Sequence, residues 1–366
     1  MQQLLIDAVT APDAVRAAAR DFMQIEDYII QPNGSVVLHG RLLVDAQRVY
    51  RPLRQRLEAV GFTPFVTRTV DGVELVARPG VIQHKPARLW INVVLLVVTI
   101  ITVLLNGALS EGADPFGQPL SILRGLPFML TLLGILGTHE MGHFIVGRLR
   151  GAPMSWPYFI PMPPGITLTG TMGAVIVQRE PLEDRRTLLE VGIAGPLAGL
   201  VVAVPLLFLG LHVSTVGASA PGSIQEGNSL FYLLAKFIVF GQRLPGNGVD
   251  VELSSIAWGA WIGLLITMLN LLPIGQLDGG HVAYALLGRK ADYLAYTMIG
   301  VCVVLGIFVS HTWLLWAVLP LLTGIRHPAP FNDVPGLDRK HTALAIFGLI
   351  VFFLLLVPVP LTVPGG

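Results

Sequence analysis

Residues 125–148 have the sequence GLPFMLTLLGILGTHEMGHFIVGR, which is apolar almost throughout except for one short segment. A run of this length can cross the hydrocarbon core of a bilayer, which needs roughly 20 residues. Within it, His139, Glu140 and His143 place three ionisable side chains close together. Because ionisable side chains are costly inside a membrane, their presence there indicates a functional site by default.

The spacing of these three residues is typical of a metal site. His139 and His143 are four residues apart, so on a helix they project from one face about one turn from each other. Two imidazoles at this separation can bind one zinc ion, and Glu140 beside them can act as the base for a zinc-bound water. The alternative is that the two histidines pair with other polar groups or line a water-filled path.

The composition of the whole chain is that of a membrane protein. Its 366 residues are 53% hydrophobic and only 13% charged, whereas soluble proteins carry about 25% charged residues. A net charge of +1 and scattered basic residues argue against nucleic acid as a partner. Because Cys302 is the single cysteine, a metal must be bound by His, Asp or Glu.

Apolar runs after residue 88 predict a polytopic α-helical membrane protein with about six to seven transmembrane helices. The predicted spans cover residues 89–109, 125–148, 187–213, 255–274, 292–310, 312–325 and 342–361. A shorter apolar run at 229–241 contains Lys236 and is predicted to be interfacial or re-entrant.

Lysine and arginine are distributed unequally between the two sides that these spans define. If the N-terminus is inside, the outer loops hold only Arg124, Lys236 and Arg243. The inner loops then hold Arg148, Arg150, Arg179, Arg185, Arg186, Arg289, Lys290, Arg326, Arg339 and Lys340. This asymmetry predicts a cytoplasmic N-terminus and an active site toward the cytoplasmic side of an inner-type membrane. Residues 1–30 contain acidic residues and no continuous apolar core, so no signal peptide is expected.

The sequence predicts that residues 1–86 form a small soluble α+β domain and that residues 87–366 form the membrane-embedded part. Helices are predicted over 12–23 and 44–60; strands are predicted over 26–31 with 35–41 and over 62–69 with 73–78, around the Asn33-Gly34 and Asp71-Gly72 turns. Pro79-Gly80 and Pro86 mark the linker.

A hydrolytic zinc site takes three protein ligands, so a third must come from outside the second span. Glu190 and Asp278 are the candidates near the same depth. Pro273 and Gly275 break the helix before Asp278 and allow its carboxylate to turn back into the bundle, so Asp278 is preferred. The alternative for Asp278 is an N-cap of a short helix at 279–287.

His139-Glu140-x-x-His143 together with Asn270-x-x-Pro273-x-x-x-Leu277-Asp278-Gly279 resembles the motif pair of the site-2 protease family of intramembrane zinc metalloproteases. The resemblance covers about residues 120–290, including the glycine-rich stretch 192–199. It implies a helical catalytic core in which His139, His143 and Asp278 bind one zinc ion per chain and Glu140 is the general base. It further implies hydrolysis of peptide bonds within or near transmembrane segments of substrate proteins. One departure is the sequence Ile274-Gly275-Gln276, where the family often has a second proline.

Residues 170–175, which include Gly170 and Gly173, also resemble a family element. The resemblance implies that they form a membrane-associated β-hairpin or loop near the site. Alternation through residues 167–177 predicts a strand at the cytoplasmic end of the site that pairs with an unwound substrate; the alternative is a hairpin that only seals the site. Asn270 is expected to bind substrate backbone or oxyanion, or else the carbonyls freed by Pro273. His281 is expected to approach the metal, or to act as a capping or supporting group.

Two other function classes remain open from the sequence. A transporter would show inverted repeats with matching broken helices, and no second copy of either motif is present. A non-proteolytic relative that binds membrane helices would lack Glu140 or a ligand, and all four positions are intact. The sequence therefore favours a multi-pass zinc metalloendopeptidase whose partners are the lipid bilayer and transmembrane protein substrates.

Overall fold

The structure is a computed structural model, and it describes residues 11–83, 88–218, 225–246 and 248–362. The linker position Pro86 lies outside the described residues. In the N-terminal region the elements are α1 (Ala11–Ala19), β1 (Met23–Ile30), β2 (Val36–Leu42), α2 (Ala46–Ala59), β3 (Phe62–Arg68) and β4 (Val73–Pro79). The helix predicted over 12–23 is shorter than expected, because Met23 already pairs with Leu42 at the start of β1.

The four strands form one antiparallel sheet in the order β1-β2-β4-β3, so β3 is an edge strand of this set. A later segment extends the edge: the Val66 amide donates to the Phe331 carbonyl at 2.7 Å, and the Asp333 amide donates to the Val66 carbonyl at 2.8 Å. Phe331 is fully buried against the rings of Tyr50 and Phe65. The sheet and core of this unit are therefore completed by residues far from it in sequence.

Residues 179–188 belong to the same compact unit, together with residues 328–341. The Asn332 amide donates to the Glu183 carbonyl at 2.8 Å, and the guanidinium of Arg54 pairs with Glu180 at 2.8 Å. The N-terminal unit thus contains residues 179–188 and 328–341 in addition to the N-terminal residues that the sequence predicts for it.

Helices make up most of the second unit, with short strands between them. Its helices are α3 (Leu89–Ser110), α4 (Leu126–Leu149), α5 (Arg185–His212), α6 (Leu230–Phe240), α7 (Ser255–Asn270), α8 (Asp278–Leu287), α9 (Ala291–Phe308), α10 (Thr312–Thr323) and α11 (Arg339–Leu355). The first residues of α5, up to residue 188, and of α11, up to residue 341, belong to the first unit. Its strands are β5 (Tyr158–Pro161), β6 (Thr171–Val175), β7 (Thr215–Ala218), β8 (Gln225–Glu226), β9 (Val249–Glu252) and β10 (Leu361–Thr362).

Among the described residues, four helical stretches are long and apolar enough to cross a membrane: Leu89–Ser110, Pro119–Leu149, Arg185–His212 and Asp278–Phe308. Shorter apolar helices occupy Leu230–Phe240, Ser255–Asn270 and Thr312–Leu321. With 16 residues, α7 is about 24 Å long, less than the ~30 Å hydrocarbon core. It ends before the position predicted because Pro273 cannot continue a helix.

The second helix, α4, packs closely against both α5 and α7. A side chain at Gly142 would lie 2.6 Å from the Ala194 carbonyl oxygen of α5, and one at Gly263 of α7 would lie 2.8 Å from Ile135. Glycine at these crossings lets the backbones approach, as small residues do in membrane helix pairs. The helix that carries the two histidines is therefore held on two sides.

The apolar run at 229–241, predicted to be interfacial or re-entrant, forms the helix α6. Ser229 caps its N-terminus by accepting a hydrogen bond from the Tyr232 amide, and Gly241 ends it with φ 69°. Lys236 is fully buried and its ammonium donates to Asp250 at 3.0 Å. The exposed side of α6 instead carries the apolar residues Leu230, Leu233, Leu234, Phe237 and Ile238.

Candidate metal centre

The two histidines of α4 meet at their Nε2 atoms. His139 and His143 are both buried, and the distance between the two Nε2 atoms is 3.1 Å. The helix creates this arrangement because residues four apart lie on one face. The structure therefore brings together the pair that the spacing predicts.

Asp278 reaches the same point from the start of α8. Its Oδ2 lies 3.2 Å from His139 Nε2, and its Oδ1 lies 3.3 Å from His143 Nε2. The N-cap residue of α8 is Leu277, whose side chain makes no capping hydrogen bond. The carboxylate of Asp278 is directed at the two imidazoles, as a third ligand would be, and it does not cap the helix.

The chain between α7 and α8 explains how an acidic side chain enters the bundle. After α7 ends at Asn270, Pro273 stops the helix, and Gly275 adopts φ 53° in the turn that follows. This left-handed conformation is open to glycine at little cost. The turn returns the chain to the bundle at Asp278, which begins the next helix.

The donor set fits a zinc ion. One ligand atom from each of His139, His143 and Asp278 lies within 4.8 Å of the other two. His143 Nδ1 is 2.7 Å from the Val191 carbonyl oxygen, which can only accept, so Nδ1 carries the proton and Nε2 of the neutral ring presents a lone pair. Two imidazole nitrogens and a carboxylate that face one point can hold a cation between them. Two histidines, one carboxylate and a position left for water are a known zinc arrangement in hydrolases.

Glu140 is next to this centre on α4 and is 7% exposed. Within the described part of the chain, its carboxylate makes no hydrogen bond or ion pair. A buried carboxylate without a fixed partner is free to exchange a proton with water that enters the site.

Asn270, the last residue of α7, also lies at the centre. Its Nδ2 is 3.4 Å from His139 Nε2. The side-chain amide therefore lies beside the candidate ligands, and it offers two N–H donors there.

A model of peptidase family M50 matches residues 127–309 of this chain. The match covers half of the 366 residues and includes His139, Glu140, His143, Asn270 and Asp278. The chain belongs to peptidase family M50. The predicted membership in the site-2 protease family is thereby confirmed.

The M50 chain is also similar to curated plant proteins. It is 31% identical over 247 residues to the probable zinc metalloprotease EGY2, chloroplastic, of Arabidopsis thaliana, an alignment that covers 66% of this chain and 43% of that protein. It is 33% identical over 244 residues to the probable zinc metalloprotease EGY1, chloroplastic, of Arabidopsis thaliana, covering 64% and 43%. The corresponding EGY1 protein of Oryza sativa subsp. japonica is 28% identical over 315 residues, covering 77% and 53%. The chain spans about half the length of these curated relatives.

In this M50 chain the predicted hairpin is present as the antiparallel pair β5 and β6. It lies along α3: Asn92 Nδ2 donates to the Trp156 carbonyl at 2.9 Å, and Asn106 Nδ2 donates to the Leu168 carbonyl at 2.5 Å. These two asparagines are about 21 Å apart along the helix. The hairpin thus follows most of the length of α3, whereas the sequence interpretation confined it to one end of the site.

The two hairpin glycines have different surroundings. Gly170 has φ 72°, and a side chain there would lie 2.5 Å from the Thr102 carbonyl oxygen of α3. Gly173 has φ 99° and open space where a side chain would be. Its amide donates to Thr171 Oγ1 at 3.0 Å, so a local side chain already satisfies that donor.

Sequence reasoning missed two features of the M50 centre. Gly195 of α5 faces His143, where an added Cβ would lie 2.0 Å from Nε2. His281 pairs with His327, whose Nε2 is 2.5 Å from His281 Nδ1. A histidine directly after an apolar run, as His327 follows residues 312–325, was the available signal. Glu190, the other candidate third ligand, forms an ion pair with Arg150.

Proposed function

We propose that this chain is an intramembrane zinc metalloendopeptidase that hydrolyses peptide bonds within or near transmembrane segments of other proteins. The observation that carries the proposal is the convergence of His139, His143 and Asp278 beside Glu140, on two helical stretches that are long and apolar enough to cross a membrane. Family membership and the names of the plant relatives support the same chemistry.

His139, His143 and Asp278 hold the metal, one zinc ion per chain, and Glu140 is the general base. When bound, zinc acidifies a water molecule and polarises the substrate carbonyl. The carboxylate of Glu140 takes a proton from the attacking water and returns it to the amide nitrogen that leaves. The Val191 carbonyl holds the proton of His143 on Nδ1 and keeps Nε2 directed at the centre.

Asn270 and the hairpin prepare the substrate. Asn270, whose Nδ2 lies 3.4 Å from His139 Nε2, donates its amide hydrogens to a substrate carbonyl at the centre. A substrate helix must unwind before cleavage, because its carbonyls are occupied by intrahelical bonds. The hairpin with Gly170 and Gly173 binds the unwound segment through β6 by strand addition. His281 supports the metal centre from α8.

The chain is an integral membrane protein, and we propose that it crosses the bilayer six to seven times, including the shorter apolar helices. The basic loops support a cytoplasmic N-terminus and an active site toward that side. The soluble α+β domain, predicted as residues 1–86, also takes in residues 179–188 and 328–341. The rest of residues 87–366 is the membrane-embedded domain, and the catalytic core lies within residues 120–290. The relatives' names carry the word chloroplastic, and the present chain acts in an inner-type membrane.

A cleavage assay tests the proposal. The purified full-length protein in detergent is incubated with a labelled transmembrane peptide, with and without a zinc chelator, beside Glu140→Gln. We expect cleavage only by the wild-type protein, inhibition by the chelator, and recovery on adding zinc. Cleavage that persists in Glu140→Gln, or that the chelator leaves unchanged after zinc removal is verified, would contradict the assignment.

A further inference from the structure

His281 and His327 form a partly buried contact next to the metal centre, and the proposed chemistry assigns no role to His327. The distance from His281 Nδ1 to His327 Nε2 is 2.5 Å, and the two rings meet edge to face with centroids 4.8 Å apart. One ring nitrogen donates and the other accepts. The ring of Tyr284 lies 4.8 Å from that of His327, so the histidine is also held by packing.

His281 belongs to the same helical turn as Asp278. Residues three apart lie on one face of a helix, and the His281 amide donates to the Leu277 carbonyl at 3.0 Å. On its other side His281 contacts α5, because a side chain at Gly192 would lie 2.6 Å from His281 Cβ. A movement of His281 therefore moves the turn that carries the Asp278 carboxylate.

The segment from Gly324 to His327 contacts this region at a second point. A side chain at Gly275 would lie 2.4 Å from the Gly324 carbonyl oxygen, so the two backbones are in close contact. Gly275 forms the turn before Asp278, and His281 lies in the turn after it. The segment that follows α10 thus braces the chain on both sides of the candidate ligand.

We propose that His327 is a positioning residue, which sets the location of the Asp278 carboxylate through its hydrogen bond to His281. The proposal rests on the proposed function, in that Asp278 has to be a metal ligand. Groups that hydrogen-bond directly to a metal ligand typically change metal affinity 10–100-fold when removed, and His327 is one contact further away, so an effect at the lower end of that range is expected. The hydrogen bond is the active feature of His327, and its ring packing against Tyr284 is secondary.

The test compares two substitutions at one position in the full-length protein. His327→Phe keeps a ring against Tyr284 but removes the hydrogen bond, whereas His327→Gln keeps a polar nitrogen or oxygen at similar reach. His311→Phe is the matched control, because His311 is exposed at the start of α10. Metal-free proteins are titrated with Co²⁺ to record the visible spectrum, and zinc affinity is measured by competition with a chromophoric chelator.

We expect His327→Phe to weaken zinc binding about 10-fold and to alter the Co²⁺ spectrum, which reports ligand geometry. His327→Gln should bind zinc close to wild type with a wild-type spectrum, and so should His311→Phe. Wild-type binding by His327→Phe would overturn the proposal, and so would equal losses in the Phe and Gln variants, because packing would then be the cause. A failure of the proposed function gives a different result: the wild-type protein itself would bind neither zinc nor Co²⁺ stoichiometrically. Both proposals would then be wrong.

Discussion

Gly195→Ala is the smallest change that the structure predicts to disrupt the metal centre. The added methyl carbon would lie 2.0 Å from His143 Nε2, 2.4 Å from Cδ2 and 2.6 Å from Cε1. To reach an ordinary contact of 3.4 Å, the nitrogen must retreat by about 1.4 Å. That movement also strains the 2.7 Å hydrogen bond from His143 Nδ1 to the Val191 carbonyl.

The expected consequence is loss of metal affinity without loss of the helix. Because the displaced His143 also loses its hydrogen bond to the Val191 carbonyl, zinc affinity should fall about 10–100-fold. Alanine is a better helix former than glycine by about 1 kcal/mol, so α5 itself gains stability. Reduced binding therefore cannot be attributed to a weaker helix.

Zinc affinity is measured by chelator competition in detergent, beside Gly134→Ala as the matched control. Gly134 lies in α4, and a side chain there would meet nothing within 4 Å. The control should bind zinc like the wild-type protein. If Gly195→Ala retained wild-type zinc affinity with normal folding, the contact between Gly195 and His143 and the packing of α5 against α4 would be wrong.

Three further predictions concern other parts of the chain. Glu140→Gln should keep its zinc, by metal analysis, and lose cleavage of a transmembrane peptide by about 10²–10⁴-fold, the usual contribution of a general base; equal cleavage would remove Glu140 from that role. Phe331→Ala should destabilise the N-terminal unit by about 3–5 kcal/mol, because a fully buried ring is lost; unchanged amide exchange in β3 would contradict its place in that core. Lys236→Met should lower the thermal midpoint, since Asp250 is left buried without its cation at a cost of about 3–5 kcal/mol, and adding Asp250→Asn should restore part of the loss.

The metal centre was predictable because its geometry follows from local rules. The four-residue spacing of His139 and His143 determines a shared helix face. Pro273 and Gly275 predict a break in the helix, and this break lets the chain turn back so that Asp278 enters the bundle. Similarly, the N-terminal strands were predicted from turn residues, which act within a few residues.

The remaining features depend on contacts between distant segments. Lys236 was interpreted as an interruption of an apolar run, but its partner Asp250 is 14 residues away and buried with it. Phe331 follows the predicted sixth span, and nothing in its neighbourhood indicates that it packs on Tyr50. The course of the hairpin is set by Asn92, Thr102 and Asn106, which donate to its carbonyls from one side of α3. Polar residues in an apolar helix were visible in the sequence, but their acceptors were not.

The central claim is that His139, His143 and Asp278 together hold one zinc ion. Its most direct test is the zinc content of the purified full-length protein and of two single variants, Asp278→Ala and Glu190→Ala. Glu190 is the control because it is acidic, lies near Val191 on α5 and already forms an ion pair with Arg150. The account predicts about one zinc per chain in the wild-type protein and in Glu190→Ala, and loss of zinc in Asp278→Ala, where too few ligands remain. Full zinc content in Asp278→Ala together with its loss in Glu190→Ala would contradict the account and assign the third ligand to Glu190.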